Sequence, residues 1–151
     1  VNVAPVNVSV SPNSGSSAAG TARLFTTVYA DTSGANDITQ AYLRVGNSSA
    51  NALFGYYNAV TNKLYLLNDA NSAWLGGFAP GSANVISNRQ GSLDCANTTV
   101  SQDGNNLTVN WSLTPKAAFA GPRSLFLYVR DTAGLTDGYD KLGEWSIVAS
   151  S

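Results

Sequence analysis

Residues 54–80 read FGYYNAVTNKLYLLNDANSAWLGGFAP. This stretch predicts a two-stranded hairpin followed by a long polar loop that carries Trp74. Large apolar side chains fall at both parities of the hairpin strands, although a strand that covers a single core buries only one face. The aromatic residues on the second face therefore belong either to a second buried layer or to a flat surface that binds a ligand by stacking.

Short alternating apolar runs continue on both sides of the hairpin and recur roughly every ten residues. Clusters of Gly, Asn, Asp, Ser and Pro separate them, and no helical periodicity of useful length appears. This spacing predicts an all-β, immunoglobulin-like antiparallel β-sandwich of two sheets. The predicted strands are 6–10, 22–30, 38–45, 53–58, 63–68, 84–87, 98–102, 106–113, 124–130 and 144–149. Residues 11–20, 46–52 and 69–83 are predicted loops, of which 69–83 is the longest.

The composition indicates one secreted, extracellular domain. The chain has 151 residues, enough to bury a single core, and only 11% of them are charged, against about 25% in typical globular proteins. We expect 1–151 to form one binding module, with 1–5 and 150–151 as linker remnants. The sequence starts at Val1 and has no methionine, so we expect a piece processed or excised from a larger protein. No apolar run is long enough to span a bilayer, and no membrane partner is predicted.

Several classes of activity are excluded by residue type. Histidine is absent, which removes Ser-His-Asp and Cys-His catalysis and the usual zinc sites. Most of the aspartates stand in turn-like contexts such as Asp103-Gly, where the carboxylate caps backbone N–H groups. The sequence therefore predicts no enzyme and no catalytic residue. The eight basic residues are scattered, so no stripe exists that would neutralise the phosphates of a nucleic acid.

The single cysteine, Cys95, has no partner within the chain for a disulfide and belongs to no thiol cluster for zinc. The prediction for it is a solvated or half-buried thiol. The alternative is a disulfide with another chain.

Two segments repeat one polar pattern. Residues 29–37 read YADTSGAND and residues 129–137 read VRDTAGLTD, each following a predicted strand. One interpretation is a calcium loop, because hard cations take oxygen ligands at short spacing. Its candidate ligands would be Asp31, Asp37, Asp131, Asp137 and Asp140. The other interpretation is two strand exits with the same turn chemistry, which the missing EF-hand pattern favours, so no metal or cofactor is predicted.

Strand parity separates core from surface, because successive side chains point to opposite faces. Regular alternation in 106–113 and 144–149 places Trp111 and Trp145 in the core. Two other strands, 38–45 and 124–130, carry large side chains on the face opposite their aliphatic one. If they are neighbours, as the third and sixth strands of an immunoglobulin-like sandwich are, these side chains share one outer face. They are Tyr42, Arg44, Phe126, Tyr128 and Arg130.

The hairpin extends this outer face. With a loop over 59–62, Tyr56 lies opposite Tyr65, and Phe54 and Leu67 follow on the same side. The opposite, core-facing side carries Leu53, Tyr57, Leu64 and Leu66. Trp74 either extends the aromatic surface or tucks under its loop as an anchor. The predicted ligand-binding residues are Tyr42, Arg44, Tyr56, Tyr65, Trp74, Phe126, Tyr128 and Arg130.

Several segments resemble repeated β-sandwich domains in secreted proteins of soil bacteria. They are YYNAVTNKLYLLNDANSAWLG (56–76), PGS (80–82), KAAFAG (116–121), LYVRDTAG (127–134) and LGEW (142–145). The chain is also similar in overall character to carbohydrate-binding modules of family 81, which are joined to secreted endoglucanases. That similarity implies binding of β-glucans through a flat aromatic face and a covalently linked glycoside hydrolase domain. Where such repeats carry a cysteine pair, this chain has Cys95 alone.

The sequence therefore predicts a non-catalytic module that binds β-linked glucans such as cellulose-like, mixed-linkage or xyloglucan chains. Aromatic rings suit the C–H faces of sugars, and Arg, Asn, Gln and Asp suit their hydroxyls. The rival from another class is a structural or adhesive spacer repeat of a secreted or surface protein, in which the same aromatics pack against the next domain.

Overall fold

The computed structural model describes residues 3–149 and contains, within them, strands, three short 3-10 turns and no α-helix. Residues 1–2 and 150–151, which belong to the predicted linker remnants, lie outside the described residues. The strands in chain order are β1 Val6–Ser11, β2 Ser16–Ala18, β3 Arg23–Ala30, β4 Ile38–Val45, β5 Leu53–Asn58, β6 Lys63–Leu67, β7 Trp74–Phe78, β8 Val85–Ser87, β9 Gly91–Asp94, β10 Thr99–Asp103, β11 Asn106–Pro115, β12 Gly121–Asp131 and β13 Thr136–Val148. No helix in this part of the chain has the length and apolar character needed to cross a membrane.

The strands form two sheets that stack as a sandwich. The first sheet has the order β1-β3-β11-β9-β8, with β10 also paired to β11. The second has the order β2-β13-β12-β4-β5-β6-β7. All pairings are antiparallel except that of the short β2 with β13, which is parallel. The predicted all-β sandwich is therefore confirmed, including the neighbouring positions of β4 and β12.

Alternation located most of the long strands well but missed several short ones. The bounds predicted for β4 and β5 are those observed. The prediction that 69–83 lacks regular structure is wrong, because Trp74–Phe78 pairs with β6 as an edge strand. Gly76 and Gly77, both at positive φ, interrupt the alternation that would reveal this strand. The predicted loop 11–20 likewise contains β2, and β9 was not predicted at all.

The last strand begins earlier than predicted. It starts at Thr136 and pairs with β12 from Gly121 to Arg130, with two register shifts along the ladder. Its first half contains Gly138, whose φ is 113°. A Cβ there would lie 2.4 Å from the carbonyl oxygen of Leu127, so only glycine fits this close approach. Because glycine and aspartate break the apolar pattern, the sequence does not reveal this half as a strand.

The core between the sheets is aromatic and aliphatic. Trp111 and Trp145 are both buried, as parity predicted, and Phe25 contacts Trp145 edge-on with ring centroids 4.8 Å apart. The indole N–H of Trp111 donates to Oγ1 of Thr27 at 2.8 Å, and that hydroxyl donates to the carbonyl oxygen of Val109 at 3.1 Å. A buried polar group of this kind costs free energy unless it has such a partner. The core-facing side chains predicted for the hairpin, Leu53, Tyr57, Leu64 and Leu66, are buried here as well.

Cys95 also belongs to this core. Its side chain is fully buried, so the prediction of a solvated or half-buried thiol is wrong. Burial raises the pKa of the Cys95 thiol, and the neighbouring Asp94 raises it further. A buried, protonated thiol is a poor nucleophile. In this fold Cys95 is therefore not placed to form the disulfide with another chain that was the alternative interpretation.

Candidate functional site

Four tyrosines form a row across the outer face of the second sheet. Register places Tyr128, Tyr42, Tyr56 and Tyr65 opposite one another on β12, β4, β5 and β6. The rings of Tyr42 and Tyr56 stack at 4.6 Å and 11°, and those of Tyr56 and Tyr65 at 5.2 Å and 22°. Tyr128 meets Tyr42 edge-on at 5.2 Å. The predicted cross-strand pair of Tyr56 and Tyr65 is thus part of a longer row.

A second row lies one pleat away on the same face. It consists of Phe126, Arg44 and Phe54, on β12, β4 and β5. The guanidinium carbon of Arg44 lies 4.4 Å from the ring centroid of Phe126, and its Nε donates to the carbonyl oxygen of Gly46 at 3.0 Å. Burial lowers the pKa of Arg44 from its ordinary value. Arg44 is therefore held within the face as a cation–π partner of the rings rather than projecting into solvent.

Trp74 folds over these rows from the β7 edge. Its ring lies 5.1 Å from Tyr56, 5.2 Å from Phe54 and 5.9 Å from Tyr42, measured between centroids. Phe54 is only 2% exposed beneath it, whereas Trp74 itself is 36% exposed. Both interpretations of this residue are partly right, because the ring caps an aromatic layer with one side and presents the other to solvent.

Tyr139 covers the face from the other side, and sequence reasoning did not place it there. It belongs to β13, yet its ring lies 4.7 Å from Tyr128 and 6.0 Å from Phe54. Its ring also lies 4.6 Å from the guanidinium carbon of Arg44. Tyr139 is 42% exposed. No local sequence signal reveals it, because its position depends on the antiparallel pairing of β13 with β12, which carries the last strand back to the aromatic rows.

The two capping rings turn the outer face into a groove. The groove has a volume of about 450 Å³, within the range of small-molecule sites. Trp74 and Tyr139 both line it, and Tyr42 and Phe54 form part of its apolar lining. The flat face expected from the sequence is therefore replaced by a concave one, with Phe54 at its floor.

Polar groups converge on the same groove. Arg130, Gln40, Asn71 and Ser72 contribute to its lining. The hydroxyl of Tyr42 donates to Oε1 of Gln40 at 2.9 Å, which fixes the orientation of that amide. Burial raises the pKa of the Tyr42 phenol, and the neighbouring phenols of Tyr56 and Tyr139 add to the effect. The phenol is thus a neutral hydrogen-bonding group at physiological pH.

The loop that carries Asn71 is ordered by its own side chains. Asn68 Oδ1 accepts from the backbone N–H of Ser72 at 2.9 Å, and Asn68 Nδ2 donates to the hydroxyl of Ser72. The backbone N–H of Asn68 donates to the carbonyl oxygen of Ala73 at 3.0 Å, which closes the loop. Asn71 takes a φ of 58°, a left-handed conformation that asparagine tolerates. This turn chemistry sets the position at which Trp74 enters β7.

The predicted binding residues share one face but not one role. Tyr42, Trp74, Tyr128 and Arg130 line the groove, whereas Arg44, Tyr56, Tyr65 and Phe126 do not. Tyr56 is buried beneath Trp74. The lining residues that the sequence analysis did not include in its site are Phe54, Tyr139, Gln40, Asn71, Ser72, Ser49, Leu67 and Ala73.

The repeated Asp-Thr-x-Gly segments behave partly as the turn interpretation requires. Asp31 Oδ1 accepts from the N–H of Ser33 at 2.8 Å, and Asp131 Oδ1 accepts from the N–H of Leu135 at 2.9 Å. Asp137 and Asp140 do not join this site, because both bind Asn7: its backbone N–H donates to Asp137 Oδ2 and its amide to Asp140 Oδ2, each at 2.9 Å. The candidate set of Asp131, Asp137 and Asp140 is therefore not assembled as one site.

Comparison with known protein families finds no matching family. Comparison with curated proteins finds no significant match either.

Proposed function

We propose that this protein is a non-catalytic carbohydrate-binding module that takes a β-linked glucan chain in the groove between Trp74 and Tyr139. The observation that carries the proposal is a pair of exposed rings bordering a groove with an aromatic floor and polar lining. A β-linked glucose unit presents two flat C–H faces and a rim of equatorial hydroxyls. Its faces match the rings, and its rim matches the polar groups.

The polar lining suits neutral hydroxyls better than charged ligands. Gln40, Asn71 and Ser72 offer both donors and acceptors, and Arg130 offers only donors. No carboxylate lines the groove within the described residues. A single guanidinium beside amides and a hydroxyl is a weak anion site but a suitable partner for several sugar hydroxyls.

The aromatic layer under the groove favours binding because it is already ordered. Tyr42 and Tyr56 are stacked, and Phe54 is enclosed by three rings at 5.2 to 6.0 Å. A ligand that lands on fixed rings pays little for ordering side chains. Each stacked ring contributes about 0.5–1.5 kcal/mol beyond burial, taking aromatic pairs as a guide. Two such rings with a few hydrogen bonds support micromolar affinity at best, which is adequate for a module that tethers a glycoside hydrolase domain to a polymer.

We also infer an immunoglobulin-like sandwich of the variable type. Strand order supports this inference: β1-β3-β11-β9 corresponds to the A-B-E-D sheet. The other sheet corresponds to G-F-C-C′-C″ through β13, β12, β4, β5 and β6. In this assignment the groove lies on the outer face of the C-F sheet and not in the loops at its ends.

Affinity electrophoresis tests the binding proposal. The wild-type protein is run through gels with soluble hydroxyethylcellulose, mixed-linkage β-glucan or xyloglucan, and through gels with xylan or no polysaccharide. We expect retardation by at least one β-glucan. Trp74→Ala and Tyr139→Ala should each weaken binding by about 3–10-fold, the equivalent of one lost stacking contact.

Matched controls separate the groove from general surface effects. Arg130→Ala should weaken retardation, whereas Arg89→Ala, which removes an exposed arginine outside the groove, should not. Leu24→Ala removes an exposed apolar side chain from the other sheet and should also leave retardation unchanged. Migration unaffected by every β-glucan would reject the proposal and favour the spacer repeat. Retardation that survives both ring substitutions would place the glucan elsewhere.

A further inference from the structure

Three aspartates from distant parts of the chain meet at one end of the sandwich. Asp31 follows β3, Asp131 ends β12, and Asp37 ends the 3-10 turn that leads into β4. One carboxylate oxygen from each lies within 4.8 Å of the other two. We call these three residues the carboxylate cluster. It joins the two repeated segments of the sequence, and none of its members lines the groove of Trp74 and Tyr139.

Each member of the cluster has one oxygen fixed by a donor from the loops. Asp31 Oδ1 and Asp131 Oδ1 accept backbone N–H groups, and Asp37 Oδ1 accepts the hydroxyl of Thr132. The other oxygens of Asp31 and Asp37 are buried and have no hydrogen-bond partner. Carboxylates that bind metal ions are commonly held in this way, with one oxygen hydrogen-bonded and the other on the ion.

The negative charge of the cluster is largely buried. Asp31 is 2% exposed and Asp131 is 1% exposed. No lysine or arginine of residues 3–149 forms an ion pair with Asp31 or Asp37. Burial raises the pKa of Asp31, and the carboxylates of Asp37 and Asp131 raise it further. An unpaired buried carboxylate is costly unless it takes up a proton or binds a cation.

We propose that the carboxylate cluster is a binding site for a hard divalent cation, with Ca²⁺ as its ligand. Oxygens bound to one Ca²⁺ at 2.3–2.6 Å are at most about 5 Å apart, and the spread of the cluster meets this limit. The unpartnered oxygens of Asp31 and Asp37 are two direct ligands, and Asp131 is the third acidic residue of the site. Water and backbone carbonyls complete the six to eight ligands that Ca²⁺ takes.

The bound ion would stabilise the fold by linking three strand ends. β4 and β12 are neighbours in one sheet, whereas β3 belongs to the other, so the site bridges the sandwich. A ligand that binds only the folded state raises its stability in proportion to ln(1 + [L]/Kd). For a Kd of about 0.1–1 mM, as in extracellular calcium modules, about 10 mM Ca²⁺ should raise the melting temperature by about 3–10 °C.

The test combines calorimetric titration with thermal unfolding of the full chain. After treatment with EGTA and its removal, the protein is titrated with CaCl₂, and its melting temperature is measured with EGTA and with about 10 mM CaCl₂. NaCl of equal ionic strength is the salt control. We expect one Ca²⁺ per chain and a rise in melting temperature that NaCl does not reproduce.

Substitutions then locate the ion. Asp31→Asn and Asp37→Asn should each reduce Ca²⁺ affinity at least about tenfold and cut the thermal shift to about half or less. In EGTA, Asp37→Asn should melt at or above the wild-type temperature because it removes like-charge repulsion; a purely structural carboxylate would instead lower it under both conditions. Glu144→Gln removes an exposed carboxylate and should retain the full response. Absence of heat and thermal shift in the wild type, or undiminished binding in both aspartate variants, would overturn the proposal.

Discussion

Gly55 and Trp111 approach each other across the sandwich so closely that no side chain fits between them. A Cβ built on Gly55 would lie 2.8 Å from Cζ3 and 3.0 Å from Cε3 of the indole. Gly55 is on β5, between Phe54 and Tyr56, and both of these side chains point to the opposite face. The glycine therefore lets the core tryptophan reach the back of the strand that carries the aromatic rows.

Gly55→Ala should destabilise the protein by about 1–3 kcal/mol, because the added methyl group overpacks the indole. The free energy of unfolding from urea or guanidinium titration measures this effect. Gly55→Ala should lower the free energy of unfolding less in a Trp111→Phe background than in the wild type. The reason is that phenylalanine lacks the second ring of the indole. A cost that is equal in both backgrounds would mean that the contact with Trp111 is not its source.

The alternation of apolar residues predicted most of this fold because the long strands are half-buried. Strand β11 is the example: Leu107, Val109 and Trp111 all point into the core as their parity requires. Pattern reasoning failed for strands that lack an alternation of apolar and polar residues and that form only because they pair with a neighbouring strand. The edge strand β7 contains two glycines, and the short β2 consists of Ser16–Ala18. Neither has an alternation that could be recognised without its neighbours.

Tyr42 should make the protein sensitive to alkali. Because burial raises the pKa of this phenol above its ordinary value of 10.0, the folded state holds the proton more tightly than the unfolded state. The resulting stabilisation is complete below about pH 10 and is lost as the pH rises through the folded pKa. Denaturant titrations between pH 8 and 11 should show a flat region followed by a decline. In Tyr42→Phe the decline should be shallower, by up to about 1.4 kcal/mol per pH unit. An identical decline in both proteins would assign the alkali sensitivity to other groups.

Cys95 should resist thiol reagents in the folded protein. Its side chain is buried and its pKa is raised, so both access and thiolate content are low. Labelling with a disulfide reagent should be at least about 100-fold slower in buffer than in denaturant, where one thiol per chain should react. Oxidation of the folded protein should yield no disulfide-linked dimer, since such a dimer requires the thiol at the surface.

The aromatic layer beneath the candidate site was predictable, whereas Phe54 as the floor of the groove and Tyr139 on its rim were not. Parity alone grouped Tyr42, Tyr56 and Tyr65, because the ladder repeats every two residues along each strand. Trp74 and Tyr139 reach over the rows from strands with glycine-rich sequences, so their positions depend on edge pairing and register shifts. Local sequence carries little information about such long-range pairing, and this is why the groove appears only in the folded structure.

Trp74 should report ligand binding directly, because the other two tryptophans, Trp111 and Trp145, are buried. Acrylamide quenching of the wild-type emission should arise mainly from Trp74, and Trp74→Phe should remove most of the quenchable fraction. If a β-glucan binds as proposed, it should protect Trp74 and lower the quenching constant by about twofold or more, since stacking covers the exposed side of the indole. The variant Tyr139→Ala should need a higher glucan concentration for the same protection. Quenching that a retarding β-glucan leaves unchanged would show that the chain binds away from Trp74.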